Sequence, residues 1–466
     1  MTMEVLADWV SRISNVVWNG LLLYLLVGTG IVFTIRTRFV QVRKFGAGWK
    51  HLFGHFSLNG EKAGKDGMSP FQALTTAIAA QVGTGNIAGA ATALYSGGPG
   101  AIFWMWLSAF FGMSTIYGEA VLAQKYKTTD DKGHVTGGPI YYIRARFTGK
   151  FGKFLAGFFS VAIIFALGFT GNMVQANSIS VAFNTAFGAP MIVVGIICAI
   201  IAAFIFLGGV GRIASVTEKV VPIMALFYMG GAVVVLWMHR ANLPQAFAQI
   251  CSMAFDTRAG TGGVLGYGMT QAVRAGVSRG IFSNEAGLGS SVMVHAAADA
   301  REPCEQGMWA VFEVFFDTIV MCSVTAFVIL TSGVYDVSRY ALASGTPLLS
   351  QLTTGAQLTA EAFSTVFGRF GGGFVAVSLA LFAFSTLLGW SYYGQRAAAY
   401  LMGERVIPVY KAAFLLAAVA GCMMRLEPVW ALSDTFNGLM ALPNLAGVLA
   451  LRRQVIAEWC RYKHDL

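Results

Sequence analysis

The chain has 466 residues, of which 56% are hydrophobic and only 12% are charged, whereas a soluble domain carries about 25% charged residues. This composition excludes an ordinary soluble protein, a disordered chain and a nucleic-acid-binding domain, and it indicates an all-α polytopic membrane protein. The net charge of +10 comes from Lys and Arg in short loops, which is typical of membrane orientation rather than of a phosphate-binding face.

Eleven segments are apolar over the roughly 20 residues that a membrane-spanning helix needs. The first follows a mixed-charge N terminus without a small-residue cleavage pattern, so we interpret it as a helix rather than a secretory signal. We regard it as an extra N-terminal helix and the other ten as core helices 1 to 10. The predicted spans are 14–35, 69–95, 100–123, 152–184, 189–208, 219–238, 266–299, 305–335, 368–394, 408–424 and 428–450.

Lys and Arg are concentrated in alternate loops, with a bias of about four to one between the two sides of the membrane. The bias predicts a multi-pass protein of the cell (inner) membrane with its N terminus outside and its C terminus in the cytoplasm. Core helices 1 and 6 then cross in opposite directions, which is what an inverted five-plus-five repeat requires. The predicted organisation is an extra helix and loop over 1–68, repeats over 69–238 and 266–450, an extracellular loop over 239–265 and a cytoplasmic tail over 451–466.

Two glycine-rich clusters occupy corresponding positions in the first helix of each half. Core helix 1 contains Q-V-G-T-G-N-I-A-G over 81–89, and core helix 6 contains G-I-F-S-N-E-A-G-L-G-S-S over 280–291. Glycine in membrane helices can simply allow close packing. Because both clusters also carry Asn and a hydroxyl residue, we favour two real interruptions of the helices, as in secondary transporters.

An interrupted helix exposes peptide groups that cost several kcal/mol each in hydrocarbon if they stay unpaired. The N–H groups around Thr84, Gly85 and Asn86 suit a carboxylate, because they lie at the positive end of a half-helix. The carbonyl groups around Ala79, Gln81 and Val82 suit Na⁺ or an ammonium group. An α-amino acid carries both charges and matches both ends of such a break.

Core helix 8 contains two adjacent hydroxyl residues, Ser385 and Thr386, with Trp390 one turn further along. Such hydroxyls often bond back to carbonyl groups of their own helix. Alternatively, they could face the carbonyl groups of core helix 1 and complete an oxygen-rich sodium site. Trp390 could line a substrate pocket or serve only in packing.

The spans also contain charged residues, which are costly in a bilayer and tend to be paired or to face cavities. Glu313 and Asp317 share one helix face. Glu285 lies in the second cluster, where it could hold the break open, pair with Arg279 or contact a ligand, and we favour the structural role. The charged residues in or near spans are Glu119, Arg274, Arg279, Glu285, Glu313 and Asp317.

The sequence G-G-P-G-A-I-F-W-M-W-L over 97–107, continuing through Gly112, resembles the signature of the alanine or glycine:cation symporter family. The stretches G-T-G-N-I-A-G-A-A-T-A and R-G-I-F-S-N-E-A-G-L-G-S-S also resemble that family, and the likeness covers essentially the whole chain. The resemblance implies a LeuT-type fold, a co-transported sodium ion, and alanine or glycine as substrate, with glutamine preferred by some members.

The resemblance also implies which residues form the binding sites. Sodium would lie between the carbonyl groups of Ala79 and Val82 and the hydroxyl groups of Ser385 and Thr386. The apolar wall of the substrate site would be Phe169, Thr386 and Trp390. Its polar groups would be Gln81, Thr84, Gly85, Asn86, Ser283 and Asn284.

We therefore predict a monomeric sodium-coupled symporter of small neutral amino acids, with no enzymatic activity and no nucleic-acid partner. One alternative keeps the fold but couples transport to protons through Glu285 or another buried carboxylate, and another prefers glutamine. A channel is disfavoured because no selectivity-filter loop is present. A membrane enzyme is disfavoured because the sequence contains neither H-E-x-x-H nor G-x-S-x-G.

Overall fold

A computed structural model describes residues 17–46, 67–130, 133–255, 268–343, 351–424 and 426–462, and most of these residues are helical. Helix α1 consists of the π-helical turn Val17–Leu22 and the α-helical stretch Leu23–Arg36. The four-residue helix α2 (Val40–Arg43) follows it. Residues 14–16 of the first predicted span lie outside the described residues.

The first predicted repeat contains two consecutive half-helices, four long helices and one short helix, α6. The half-helices are α3 (Pro70–Gln81) and α4 (Ala90–Gly97), the latter preceded by the π-helical turn Gly85–Gly89. The other helices are α5 (Gly100–Lys125), α6 (Pro139–Arg146), α7 (Gly149–Phe187), α8 (Met191–Leu207) and α9 (Gly209–Met238).

The remainder of the chain begins with the 3₁₀ turn Arg240–Asn242 and α10 (Leu243–Met253), followed by two more half-helices. These are α11 (Met269–Asn284) and α12 (Val292–Ala296). Then come α13 (Pro303–Thr331), α14 (Val337–Ala343), α15 (Gly355–Phe367), α16 (Phe370–Met402), the 3₁₀ turn Glu404–Val406, α17 (Ile407–Cys422), α18 (Leu426–Ala450) and α19 (Arg452–Tyr462).

Six helices in the described ranges are long and apolar enough to cross a membrane. Each of the eleven predicted spans coincides with at least one helix, whereas the total of eleven crossings and the inverted repeat stay predictions. The six are Gly100–Lys125, Gly149–Phe187, Gly209–Met238, Pro303–Thr331, Phe370–Met402 and Glu404–Cys422, and the apolar helices Leu23–Arg36 and Met191–Leu207 are shorter.

Hydropathy misplaced one helix start and overlooked several short helices. Helix α9 begins at Gly209, whereas the predicted span begins at 219. The prediction started late because Arg212 and Glu218 make the first turns of this helix polar. The predicted loop 239–265 contains α10, and the predicted tail 451–466 contains α19. Both are too short or too polar to register as a span.

Small residues bring the helices around α5 into close contact. A Cβ atom added to Gly118 of α5 would lie 2.9 Å from Cε1 of Phe33 in α1, and one added to Gly30 would lie 2.6 Å from Phe111. Helices α11 and α13 also pack against α5. Close approach through glycine is a usual way for membrane helices to associate.

Large apolar side chains are exposed on the outer helices. Helix α8 presents Ile196, Ile200 and Phe204 to the surroundings, and Leu207 at its end is 85% exposed. An apolar surface of this kind suits contact with lipid rather than with water. The arrangement agrees with a multi-pass membrane protein.

A short hairpin that the sequence did not predict connects α5 to α6. Strands β1 (Thr128–Thr129) and β2 (Val135–Thr136) are antiparallel, with Thr128 opposite Thr136. Asp130 beside the turn accepts a hydrogen bond of 2.9 Å from Nη1 of Arg396. This ion pair attaches the hairpin to the end of α16.

Candidate functional site

The first predicted break is present between α3 and α4. Helix α3 starts with Pro70 and a capping box in which Ser69 and Gln72 bond each other's backbone N–H groups. It ends at Gln81, and Val82 has φ −75° and ψ 89°, outside the helical region. The chain becomes helical again in the π-helical turn Gly85–Gly89.

Side chains bond two of the N–H groups that this break frees. The Gly83 N–H donates to Oδ1 of Asn86 over 2.9 Å, and the Thr84 N–H donates to Oε1 of Gln175 in α7 over 3.2 Å. The hydroxyl of Thr84 and Oε1 of Gln81 are buried, and neither has a hydrogen-bond partner within the described part of the chain. A polar ligand could therefore satisfy these two oxygen atoms.

The second predicted break is present between α11 and α12. Helix α11 ends at Asn284, and Glu285 has a left-handed backbone with φ 55°. Gly287 and Gly289 have φ values of 87° and 80°, which explains the glycines in this stretch, because other residues avoid this region. The chain returns to α-helix at Val292.

Glu119 of α5 and Asn444 of α18 hold this second break in place. The Gly287 N–H donates to Oε2 of Glu119 over 3.1 Å, and the Gly287 carbonyl accepts from Nδ2 of Asn444 over 2.9 Å. Asn444 also donates to Glu119 and accepts from the Tyr142 hydroxyl. These partners are distant in sequence, and our sequence analysis assigned them no role.

The two breaks lie against each other, and Asp317 connects them. A Cβ atom added to Gly85 would lie 2.9 Å from Oγ of Ser283. Oδ1 of Asp317 accepts from Nδ2 of Asn86 over 2.7 Å and from Oγ of Ser283 over 3.0 Å. Asn284 donates to Oγ1 of Thr318 over 3.0 Å. The predicted residues Gly85, Asn86 and Ser283 therefore lie together.

Asp317 is a candidate site residue that our sequence analysis missed. Its carboxylate is fully buried, and it belongs to the π-helical stretch Phe315–Cys322 of α13. Such π-helical insertions occur frequently at functional sites. The available signal was the pair of acidic residues, Glu313 and Asp317, on one face of an apolar helix.

The predicted sodium ligands are close together. Oγ of Ser385 lies 3.2 Å from the carbonyl oxygen of Ala79. Oγ1 of Thr386 lies 3.1 Å from that same oxygen and 3.4 Å from the carbonyl oxygen of Val82. Both hydroxyl groups also bond the Phe382 carbonyl of their own helix, so the bonding within the helix is confirmed and the sodium site stays a prediction. Oxygen ligands of this type suit a hard cation.

Trp390 and Glu285 contact each other. Nε1 of Trp390 donates to Oε1 of Glu285 over 2.6 Å, and its ring lies 6.5 Å from that of Phe282. Arg279 pairs instead with Asp434 at 2.6 Å. Oε2 of Glu285 accepts from Oγ of Ser290 within the second break, so of the three alternatives for Glu285 the contacts favour a role in holding the break.

Phe169 packs against the apolar cluster that contains Phe282 and Trp390. It lies in the π-helical stretch Ile164–Gly171 of α7. Its ring centroid is 5.9 Å from that of Phe165 and 6.3 Å from that of Tyr410. Its predicted place in the substrate wall stays a prediction.

A cavity of about 630 Å³ adjoins α4, the second half of the first broken helix. Arg279 lies at its edge, with its guanidinium 5.1 Å from the Trp430 ring centroid and 5.8 Å from that of Phe282. Phe282 directly precedes Ser283. Ala88, in the π-helical turn after the first break, and Arg279, in the half-helix before the second, both line the cavity. Residues that line it include Ala88, Thr92, Ser178, Arg279, Ala360 and Trp430.

Comparison with known proteins gives matches along the whole chain. The sodium:alanine symporter family matches residues 3–466. The sodium/alanine symporter AgcS of Methanococcus maripaludis is 43% identical over 97% of this chain and 96% of its own length. The probable sodium/glutamine symporter GlnT of Bacillus subtilis is 38% identical over 97% of this chain and 90% of its own.

Solved structures share the fold at low sequence identity. A Na⁺-coupled sialic acid symporter matches with a TM-score of 0.56 and 13% identity, over 91% of this chain and 85% of its own. The manganese transporter of Eremococcus coleocola matches with a TM-score of 0.51 and 14% identity, over 79% of this chain and 74% of its own. The fold is therefore one used by membrane transporters.

Proposed function

The chain belongs to the sodium:alanine symporter family, and on that premise we propose that it imports alanine and glycine together with Na⁺ by alternating access. The observation that carries the proposal is the meeting of two helix breaks. Gly85 approaches Ser283 from one break, and Asp317 accepts hydrogen bonds from Asn86 and Ser283. Buried peptide groups without helical partners suit a zwitterion.

In this proposal the amino acid lies between the breaks. Its carboxylate is held near the N–H groups of Thr84, Gly85 and Asn86, at the positive end of a half-helix. The oxygen atoms of Gln81 and Thr84 that have no partner in the described ranges accept hydrogen bonds from the ammonium group. The other substrate residues are Ser283 and Asn284, with Phe169, Thr386 and Trp390 as the apolar wall.

Sodium, as the co-transported ion, binds to the carbonyl oxygens of Ala79 and Val82 and the hydroxyl oxygens of Ser385 and Thr386. Its position at the end of α3 links ion binding to the geometry of the first break. A potential of about 100 mV contributes about 2.3 kcal/mol per Na⁺. This energy supports accumulation of roughly fiftyfold for one ion, because about 1.4 kcal/mol corresponds to tenfold.

We also propose that the chain crosses the cell membrane eleven times in an inverted repeat of LeuT type. The protein is a monomer, and its N terminus lies outside the cell. Supporting it are the two matched breaks, the charge bias of the loops and the fold shared with a Na⁺-coupled symporter. The large cavity beside α4 and Arg279 then serves as the route by which substrate arrives from outside.

Uptake of labelled alanine into proteoliposomes at constant pH tests this function. An inward Na⁺ gradient should drive accumulation, and an equal choline gradient should not. Uptake that is indifferent to Na⁺ would contradict the proposal.

A second candidate substrate is glutamine, because a relative of 38% identity is described as a probable sodium/glutamine symporter. Competition against labelled alanine by unlabelled alanine, glycine, serine and glutamine separates the two. Stronger inhibition by alanine or glycine supports the first candidate, and stronger inhibition by glutamine supports the second.

A further inference from the structure

One face of α7 borders the place that we propose for the amino acid. Gly171 and Gln175 lie one turn apart, so they share a side of this helix. A Cβ atom added to Gly171 would lie 2.6 Å from Cζ3 of Trp390 in the proposed substrate wall, and Gln175 bonds the Thr84 N–H in the first break. Gln175 is buried, and it belongs to neither the amino-acid site nor the sodium site that we propose.

Two asparagine side chains fix the part of α7 that carries Gln175. Nδ2 of Asn172 donates to the Phe414 carbonyl of α17 over 2.7 Å, and Nδ2 of Asn177 donates to the Gly421 carbonyl of α17 over 2.8 Å. Both bonds join α7 to α17 and do not involve Gln175. A substitution at Gln175 should therefore change the group that meets the first break without moving the helix.

The Thr84 N–H has two candidate acceptors, Gln175 and the substrate carboxylate. Oε1 of Gln175 accepts this N–H over 3.2 Å, and the same N–H is among the groups that we propose for the carboxylate. A peptide N–H carries one hydrogen atom and is a single donor, so the two oxygen atoms compete for it. Thr84 is 0% exposed, and bulk water does not reach this N–H.

Gly83 leaves the space in which the Gln175 amide lies. A Cβ atom added to Gly83 would lie 3.3 Å from Nε2 of Gln175, and it would clash with Oγ1 of Thr386. The missing side chain at Gly83 explains how a glutamine from another helix reaches a peptide group inside the break.

A carboxylate is able to displace this amide. Hydrogen bonds to an ionised acceptor are roughly twice as strong as those between neutral groups, and the positive end of the half-helix also favours the charged acceptor. The displaced oxygen of Gln175 has a second donor on the same residue, because the Thr84 hydroxyl bonds nothing within the described ranges. A hydroxyl can accept from the substrate ammonium group and donate to this oxygen at the same time.

We propose that Gln175 sets the affinity for the substrate by competing with the substrate carboxylate for the Thr84 N–H. The inference rests on the proposed amino-acid transport function. Without a carboxylate, the amide of Gln175 satisfies a buried peptide group that is costly to leave unpaired in a membrane. Each substrate molecule must break this bond before its carboxylate binds, so Gln175 stabilises the first break and lowers the affinity for the substrate. Ligands that have no carboxylate leave the bond intact.

Equilibrium binding of labelled alanine to the purified protein in saturating NaCl tests this competition. Gln175→Leu keeps the approximate volume of the side chain but has no acceptor for the Thr84 N–H. Alanine should bind about threefold or more tightly to this variant, because one neutral hydrogen bond no longer opposes binding. Asn184→Ala is the matched control, since Asn184 lies in the same helix and bonds the Ala189 carbonyl at an exposed position, and it should bind alanine as the wild type does.

Two fragments of alanine show whether the carboxylate carries the change. Propionate has the carboxylate but no ammonium group, and ethylamine has the ammonium group but no carboxylate. As an inhibitor of alanine binding, propionate should become more potent in Gln175→Leu by the same factor as alanine, whereas the potency of ethylamine should stay the same. An equal gain for both fragments would indicate a general loosening of the site and would overturn the inference.

Unchanged or weaker binding of alanine by Gln175→Leu would also overturn it. Because Gln175→Leu could fail to fold, Gln175→Asn gives a second test. Its amide is too short to reach the Thr84 N–H but the side chain stays polar, so the same gain in alanine affinity is expected, and its absence contradicts the competition. A wild-type protein that binds no alanine in Na⁺ would instead overturn the proposed function itself.

Discussion

At the level of single residues, the hydroxyl groups of Ser385 and Thr386 have two candidate roles, ion binding and ordinary helix packing. Each hydroxyl bonds its own helix at Phe382 and also approaches a carbonyl of the first broken helix. These hydroxyl groups thus have two sets of partners, and only the contact with Ala79 and Val82 brings two chain segments together. Substitution separates the roles.

Ser385→Ala should raise the half-saturating Na⁺ concentration for alanine uptake by about tenfold, because removal of one hydrogen-bonding group from a charged partner costs about 1.5–3 kcal/mol. Selectivity among amino acids should stay the same. Ser378→Ala is the control, since among the described residues the Ser378 hydroxyl bonds only the Phe374 carbonyl of its own helix. An unchanged Na⁺ requirement in Ser385→Ala would remove this residue from the ion site.

Asp317→Asn should lower alanine uptake about tenfold or more at normal expression. The amide has one acceptor oxygen, whereas the Asp317 carboxylate accepts from Asn86, Ser283 and Thr318. The comparison is with Asp336→Asn, at an exposed position that bonds the Ser338 N–H. Equal alanine uptake by Asp317→Asn and Asp336→Asn would show that transport does not depend on the connection that the Asp317 carboxylate makes between the breaks.

At the scale of elements, the two breaks were predictable because glycine, asparagine and hydroxyl residues cluster where an apolar helix should continue. Both interruptions lie within the predicted clusters, after Gln81 and after Asn284. The partners that hold them were not predictable. Gln175, Glu119 and Asn444 are far away in sequence, and a single sequence does not reveal which distant polar groups meet.

Other differences have similarly physical causes. The start of α9 was placed too late, because Arg212 and Glu218 lower the hydropathy of its first turns. In the structure Arg212 bonds the Phe204 carbonyl, so the charged group is accommodated at the helix end. Phe169 was assigned to the substrate wall from the family resemblance alone. In the structure its ring contacts are with Phe165 and Tyr410.

Gly287→Ala should lower the stability of the protein more than Gly333→Ala. Both residues have positive φ, 87° and 80°, where a side chain costs about 1–2 kcal/mol. A Cβ atom at Gly287 would also clash with Leu26, whereas Gly333 faces open space. Thermal unfolding in detergent measures the difference, and equal midpoints for the two variants would contradict the packing of α1 against the second break.

At the scale of the whole molecule, the family assignment made from the signature around Gly97 is confirmed by a match over residues 3–466. The fold is shared with a Na⁺-coupled sialic acid symporter at 13% identity, so two sequences with little identity adopt one architecture. The number of crossings, the inverted repeat and the orientation of the termini stay predictions. A cysteine-accessibility map of the loops would test the orientation, with the loop after α5 labelled only from the cytoplasm.

We propose that one pair of broken helices binds an amino acid and Na⁺ together. The most direct measurement is calorimetric titration of alanine into the purified protein in NaCl and in choline chloride. Alanine should bind far more tightly in Na⁺, and it should increase the affinity for Na⁺ by the same factor, since the coupling is reciprocal. Equal alanine affinity in the two salts would contradict it.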